Sequence, residues 1–292
     1  GEAARIVMEP ATDYVSLARG LTVRKNAGPD VVSLEYATPR TLSITGSIGP
    51  GTRMITRYVA VNHPAYFGGF VLRETLEAAG IAVKGDILCA RNCPKTVDVR
   101  TRREKGKWTT VAVYHSPRLA EIVKVVNKLS NNLYAELLLL ATGRAAGAAG
   151  TEGSAAAALA ALRRAGLNTS GVVMADGSGL SRHDLVTPDS VARLLRIMAQ
   201  GPHARSFIDS LPVMSVDGTL GVRLKGSRAA DRVRAKTGTM THIRGLSGYV
   251  TTMKGERLVF SIFSNNHVAT SDVDTATDRI ILRLLDHSSS ER

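Results

Sequence analysis

Apolar residues alternate with polar ones along the opening third of the chain, then switch to helical spacing. VVSLEYA (31–37), TLSITGSI (41–48) and MITRYVAV (54–61) are runs of four to eight residues rich in β-branched types and bounded by Pro or Gly. Each is predicted as a strand. One helix interrupts them: Phe67, Phe70, Val71, Leu72 and Leu76 fall mostly along one face, between an initiating Pro64 and a terminating Gly80. A strand is predicted to resume in IAVKGDI (81–87).

After residue 113 the period changes. Leu119, Ile122, Val123, Val126, Leu133, Leu137 and Leu140 recur at helical spacing, entered through Ser116-Pro117 and broken by Ser130-Asn131-Asn132. Further helices are predicted over roughly 152–165 and from Pro188 to a stop at Gly201. VRAKTGT, GLSGYVTTM and RLVFSIFSNN read as strands, the last two joined by the tight turn Lys254-Gly255-Glu256. An amphipathic helix carrying Ile280, Ile281, Leu284 and Leu285 closes the chain. Helices with an antiparallel sheet make an α+β arrangement. A β-rich region is expected over 1–113 and a second domain over 114–292.

With 292 residues, 44% of them hydrophobic, the chain can bury a substantial core. Lys and Arg outnumber Asp and Glu by 38 to 25, a formal charge of +13 that favours an anionic partner without choosing nucleic acid, an acidic surface or a carboxylate. The basic runs at 99–108 and 222–236 do not interleave the aromatics of a single-strand-binding groove, and no nucleic-acid-reading element is present. No apolar stretch is long enough to cross a bilayer, and GEAARIVMEP lacks the apolar core of a signal peptide, so the chain as given is expected to be soluble. Cys89 and Cys93 cannot by themselves complete a tetrahedral zinc site; a local disulfide and two free thiols both remain open. His63, His115, His203, His242 and His267 are scattered singly and read as surface or core residues. No metal or cofactor is expected.

Three segments carry candidate chemistry: KLSNNLYAE (128–136), ADGSGLSRHDLVTP (175–188) and KTGT (236–239). Each has an ordinary reading. Ser130 can end one helix while Asn131 or Asn132 caps the next, Asp176 can make an Asx-turn in a Gly-rich loop, and Lys236 can be an exposed strand lysine. Ser-x-Asn also recurs at Ser264-Asn265-Asn266, where it follows a strand. The copy at 130 differs because it sets a hydroxyl and two amides inside a strongly apolar helical pattern.

In this order the segments resemble the low-molecular-mass class C penicillin-binding proteins, serine D-alanyl-D-alanine carboxypeptidases and endopeptidases of the cell wall. Penicillin-recognising acyl enzymes carry Ser-x-x-Lys, then Ser-x-Asn, then Lys-Thr-Gly. VNHPAYFGGFVLRETLEAAGIAVKGD is similar to the end of the domains that this family inserts into its catalytic domain. The resemblance implies a penicillin-recognising serine acyl-enzyme fold, β-lactamase- or transpeptidase-like, preceded by a β-rich remainder of the inserts. It further implies an extracytoplasmic location, with peptidoglycan stem peptides and β-lactams as ligands.

Carried over by residue, the resemblance gives Ser130 a proton relay between general base and leaving amine, and Asn132 a hold on the substrate backbone. Lys236 would supply positive charge beside Ser130 and the substrate's terminal carboxylate, with Thr237 and Thr239 hydrogen-bonding that carboxylate. Gly238 would let the peptide lie close, the Thr239 N–H would form half of an oxyanion hole, and Met240 would line the pocket. Asp176 and its loop would shape the site.

The attacking serine is the exception. No serine of the sequence has a lysine three positions later. Ser178 and Ser181, with His183 nearby, do not form a nucleophile elbow. The expectation is therefore an incomplete acyl-enzyme site whose Ser-x-x-Lys lies in a missing segment. Two other readings are a non-catalytic cell-wall peptide-binding protein and a basic nucleic-acid-binding module.

Overall fold

The computed structural model describes residues 2–26, 28–52, 54–87 and 113–289. The chain divides into two compact units, Gly1–Val111 and Ala112–Arg292. Cys89, Cys93 and the basic run at 99–108 lie outside the described residues.

In the first unit, strands β1 (Glu2–Ala3), β2 (Ser16–Val23), β3 (Val31–Thr38) and β4 (Thr41–Ile48) form a sheet in the order β1-β2-β4-β3. β3 and β4 are an antiparallel hairpin, whereas β2 runs parallel to β4 from Ser16↔Thr41 to Val23↔Ile48. Alternation along β4 buries Leu42 and Ile44 with Tyr14 and Val15. Helix α1 (Pro64–Ala78) contributes Tyr66, Phe67 and Phe70 to that cluster. The Tyr14 ring meets Phe67 edge-on at 5.3 Å and carries the Arg40 guanidinium 5.0 Å above it.

Two predicted strands do not form. Residues 54–61 and 81–87 make no ladder, and Met54 and Tyr58 are 83% and 92% exposed. Strand propensity expresses fit to a neighbouring strand, and neither segment has one among the described residues. SLARGLTV, which the period-two pattern passes over because Gly20 interrupts it, becomes β2 through its parallel pairing.

The second unit opens with helices α2 (Leu119–Leu129), α3 (Asn132–Ala145) and α4 (Gly150–Arg164), then α5 (Pro188–Gln200) and the short α6 (Ala204–Ser210). A 3-10 turn, Gly218–Leu220, precedes an antiparallel sheet of β5 (Val233–Met240), β6 (Ile243–Thr251) and β7 (Arg257–Asn265), and α7 (Thr270–Leu284) follows. One face of the sheet packs Val233, Ala235, Leu246, Val250 and Phe260 against Ile281 and Leu285, all at most 6% exposed. On the other face Tyr249 joins Leu195, Ile208 and Leu211, and its hydroxyl donates to the Leu195 carbonyl at 2.6 Å. Burial pushes the Tyr249 pKa up to about 12. A sheet covered on both faces this way holds β5, one of its edge strands, rigidly in register.

Candidate active site

Period two along β5 sends Val233, Ala235, Thr237 and Thr239 to one face and Arg234, Lys236, Gly238 and Met240 to the other. β6 pairs with β5 along its whole length, from Val233↔Val250 to Met240↔Ile243, while residues 212–214 cover the other edge only as far as Ala235, so among the described residues the distal half has one free edge. Here the strand meets the helix break. Lys236 Nζ donates to Ser130 Oγ at 2.7 Å and to the Thr237 carbonyl at 2.8 Å, across 106 residues of sequence in the first case. No carboxylate of the described residues pairs with Lys236, and burial pushes its pKa below the usual lysine value.

Ser130 ends α2 with φ 54° and ψ 50°, a left-handed conformation that a non-glycine residue adopts at a cost. Asn131 then caps α3, its side chain accepting from the Tyr134 N–H at 2.9 Å. The ordinary capping role and an available hydroxyl therefore coexist: the cap falls to Asn131, and Ser130 Oγ is left exposed toward Lys236. Asn132 opens α3 with an exposed side chain.

A cavity of about 520 Å³ borders the distal half of β5, lined among others by Thr219, Arg223, Thr237, Gly238, Thr239 and Arg244. Arg223 is neutralised by Asp278 at 2.6 Å and Asp274 at 3.9 Å. Arg244, registered opposite Thr239, is held by the Met240 and Ile243 carbonyls and Thr270 Oγ instead. Met240 ends β5, half-buried, on the Lys236 face.

The loop at 175–188 is tied to α3. Glu136, one turn after Asn132, accepts from the Gly177 and Ser178 N–H groups at 3.1 and 3.0 Å. Gly177 is required there, because a Cβ would lie 2.7 Å from the Ala135 carbonyl oxygen. Asp176 accepts from the N–H groups of Gly179 and Ser181 and from the Ser178 hydroxyl. Burial opposes its ionisation, but these bonds and the Asp184 carboxyl hold its pKa below the usual value. Asp184 is pushed the other way, by burial first and then by Asp176. Of the expected site residues, Ser130 meets Lys236 directly, while Thr237, Gly238 and Thr239 follow Lys236 on the same strand and line the neighbouring cavity, which Ser130 and Lys236 do not line. The loop that carries Asp176 is tied to the same helix as Asn132, through Gly177 and Ser178, rather than to Lys236. Sequence reasoning missed Glu136, although its i+4 spacing from Asn132 puts both on one helix face. It also missed Thr219 and the Lys128–Asp217 ion pair.

The profile of the D-Ala-D-Ala carboxypeptidase 3 (S13) family matches residues 1–286. The chain belongs to that family. It is 34% identical over 298 residues to a D-alanyl-D-alanine carboxypeptidase of Actinomadura sp. (strain R39), covering all of this chain and 53% of that protein. It is 32% identical over 180 residues to carboxypeptidase DacB of Mycolicibacterium smegmatis, covering 59% of this chain and 39% of the relative. The chain therefore spans about half the length of the curated relatives it matches, or less. The crystal structure of penicillin binding protein 4 (dacB) from Haemophilus influenzae superposes with a TM-score of 0.71 at 20% identity, over 95% of this chain and 62% of that one. The fold is thus the penicillin-recognising α+β fold of the S13 family.

Proposed function

We propose that this chain supplies the carboxylate-binding wall and proton relay of a serine-type D-Ala-D-Ala carboxypeptidase or endopeptidase acting on peptidoglycan stem peptides outside the cytoplasm. The observation that carries the reading is the 2.7 Å contact between Lys236 Nζ and Ser130 Oγ, an unpaired cation beside a hydroxyl on a strand edge. A stem peptide adds along β5 as an extended strand, its terminal carboxylate meeting Lys236, Thr237 and Thr239. Ser130 Oγ, bonded to the ammonium, passes a proton to the departing amine, and the Thr239 N–H stabilises the developing oxyanion. Asn132 holds the peptide backbone, Gly238 lets it approach closely, and Met240 lines the pocket. β-Lactams enter as mimics of the same dipeptide. Residues 1–113 are the β-rich remainder of the inserted domains, and 114–292 the C-terminal part of the catalytic domain.

The nucleophile and its lysine come from a segment outside this sequence. Leu133, Leu137 and Leu140 form a helical stripe on α3 that is 65%, 51% and 39% exposed, and an uncovered apolar stripe supports a packing partner there. Calorimetric titration with a peptide ending in D-Ala-D-Ala tests the site: binding without turnover is expected, and no binding overturns the reading. Incubation with a fluorescent penicillin followed by denaturing electrophoresis tests the division of labour. No labelled band at this chain's mass is expected, and a labelled band would refute it.

A further inference from the structure

One arm of the cleft has no role in the reading above. The segment Val216 to Leu220 folds as a tight turn whose Gly218, at φ 58°, lies so close to α2 that a Cβ there would sit 2.8 Å from the Lys128 carbonyl oxygen. The turn is pinned by an ion pair. Lys128 Nζ donates to both Asp217 carboxylate oxygens at 2.7 Å, with the lysine side chain only 12% exposed, and the Val213 N–H adds a third bond to Asp217 at 2.8 Å. Burial raises the Asp217 pKa, yet the Lys128 and Val213 bonds outweigh it and hold the carboxyl below its usual value.

The pinned turn delivers Thr219 to β5. Its Oγ lies 2.9 Å from Thr237 Oγ, both residues line the cavity beside the strand, and Thr219 is exposed there. When two hydroxyls bond to each other only one proton is used, so one O–H of the pair remains free for an outside acceptor. A carboxylate has about four lone-pair sites, more than Lys236, Thr237 and Thr239 fill in good geometry. The placement is also coupled to the relay. Lys128 stands two residues before Ser130 and Asp217 two before Thr219, so one ion pair sets the spacing of the two hydroxyls across Lys236 and Thr237.

We propose that Thr219 is a specificity-determining residue that reads a free terminal carboxylate, and that Lys128 and Asp217 are the positioning residues that hold it beside Thr237. The inference rests on the proposed function and deepens it by naming how the site tells a free acid from a capped terminus.

Calorimetry on the full chain with diacetyl-L-Lys-D-Ala-D-Ala and with its C-terminal amide tests it. The wild type binds the acid more tightly. Thr219→Val, which removes the hydroxyl at constant volume, weakens acid binding roughly tenfold or more and leaves amide binding within about twofold. Thr219→Ser restores acid binding to within about threefold of the wild type. Asp217→Asn, checked for folding by its melting curve, reproduces the acid-selective loss, and combining it with Thr219→Val adds little further. Unchanged acid binding in Thr219→Val, equal losses for acid and amide, failure of serine to rescue, or additive losses in the double variant each overturn the inference alone. Failure of the wild-type chain to bind either peptide overturns the proposed function, and the inference falls with it.

Discussion

Replacing Lys236 with methionine separates its binding role from its structural one, because the two respond with opposite signs. The side chain is half-buried, lacks a carboxylate partner among the described residues, and has a pKa pushed down by burial. Its charge is therefore held in the folded state at a cost. Methionine keeps the unbranched stem and removes that cost. Of the two bonds lost, Ser130 Oγ is exposed and regains one from water, and the Thr237 carbonyl, which by alternation from Ala235 faces away from β6, meets water at the free edge of the strand. The net change in stability should lie between zero and about 1 kcal/mol in favour of the variant, or up to ~4 °C in melting temperature for a unit of this size. Binding should move the other way. Losing a charged donor to the peptide carboxylate costs about 1.5–3 kcal/mol, a factor of roughly 10 to 150 in Kd. pH supplies a second readout. A bound carboxylate favours the ammonium, so the lysine pKa is higher in the complex than in the free chain. Affinity of the wild type is then constant below the free-state pKa and falls as pH rises through it, whereas Lys236→Met is flat over that window. Scanning calorimetry and titration at several pH values measure all three quantities. A variant that loses more than about 2 kcal/mol of stability, or that binds the acid peptide as well as the wild type, refutes the argument.

Two further perturbations address the loop at 175–188. Gly177→Ala drives a methyl against the Ala135 carbonyl and Leu139 Cβ on α3, so the loop must lift and lose its bonds to Glu136. A loss of about 1–3 kcal/mol is expected, with hydrogen exchange accelerating at residues 177–181; unchanged protection would count against docking on α3. Asp184→Asn probes the carboxyl pair. The raised pKa of Asp184 contributes stability below its unfolded value that is lost as pH rises through the folded one, so the wild type should weaken relative to the Asn variant from ~pH 4 upward. Melting curves whose difference does not change with pH would show that the Asp184 carboxyl carries no raised pKa in the folded chain.

The second unit was more legible than the first for a physical reason. Its helices announce themselves by apolar spacing over two turns or more, as in Leu119 to Val126, and its strands alternate buried and half-buried positions, as in Val233 to Ala235. In the first unit the runs are short and their fate depends on partners. TLSITGSI finds β2 and β3 on either side, whereas MITRYVAV, richer in strand-forming residues, finds neither. Local composition carries no information about that difference. The parallel pairing of β2 with β4, with β3 between them in the sequence, is likewise set by the whole sheet.

The candidate site was legible where chemistry breaks a pattern and invisible where it obeys one. Ser130 interrupts an apolar helix, and the interruption is a left-handed residue that turns its hydroxyl toward a strand 106 positions away. Lys236 follows the strand alternation, and only its neighbours Thr237 and Gly238 mark it. Lys128 and Asp217 break nothing: one reads as a solvated helix lysine, the other as a turn aspartate. Yet their ion pair joins the relay segment to the turn that carries Thr219. A contact between two locally ordinary residues is a property of the fold, so a sequence can display the groups that touch substrate while concealing those that hold them apart at the right distance.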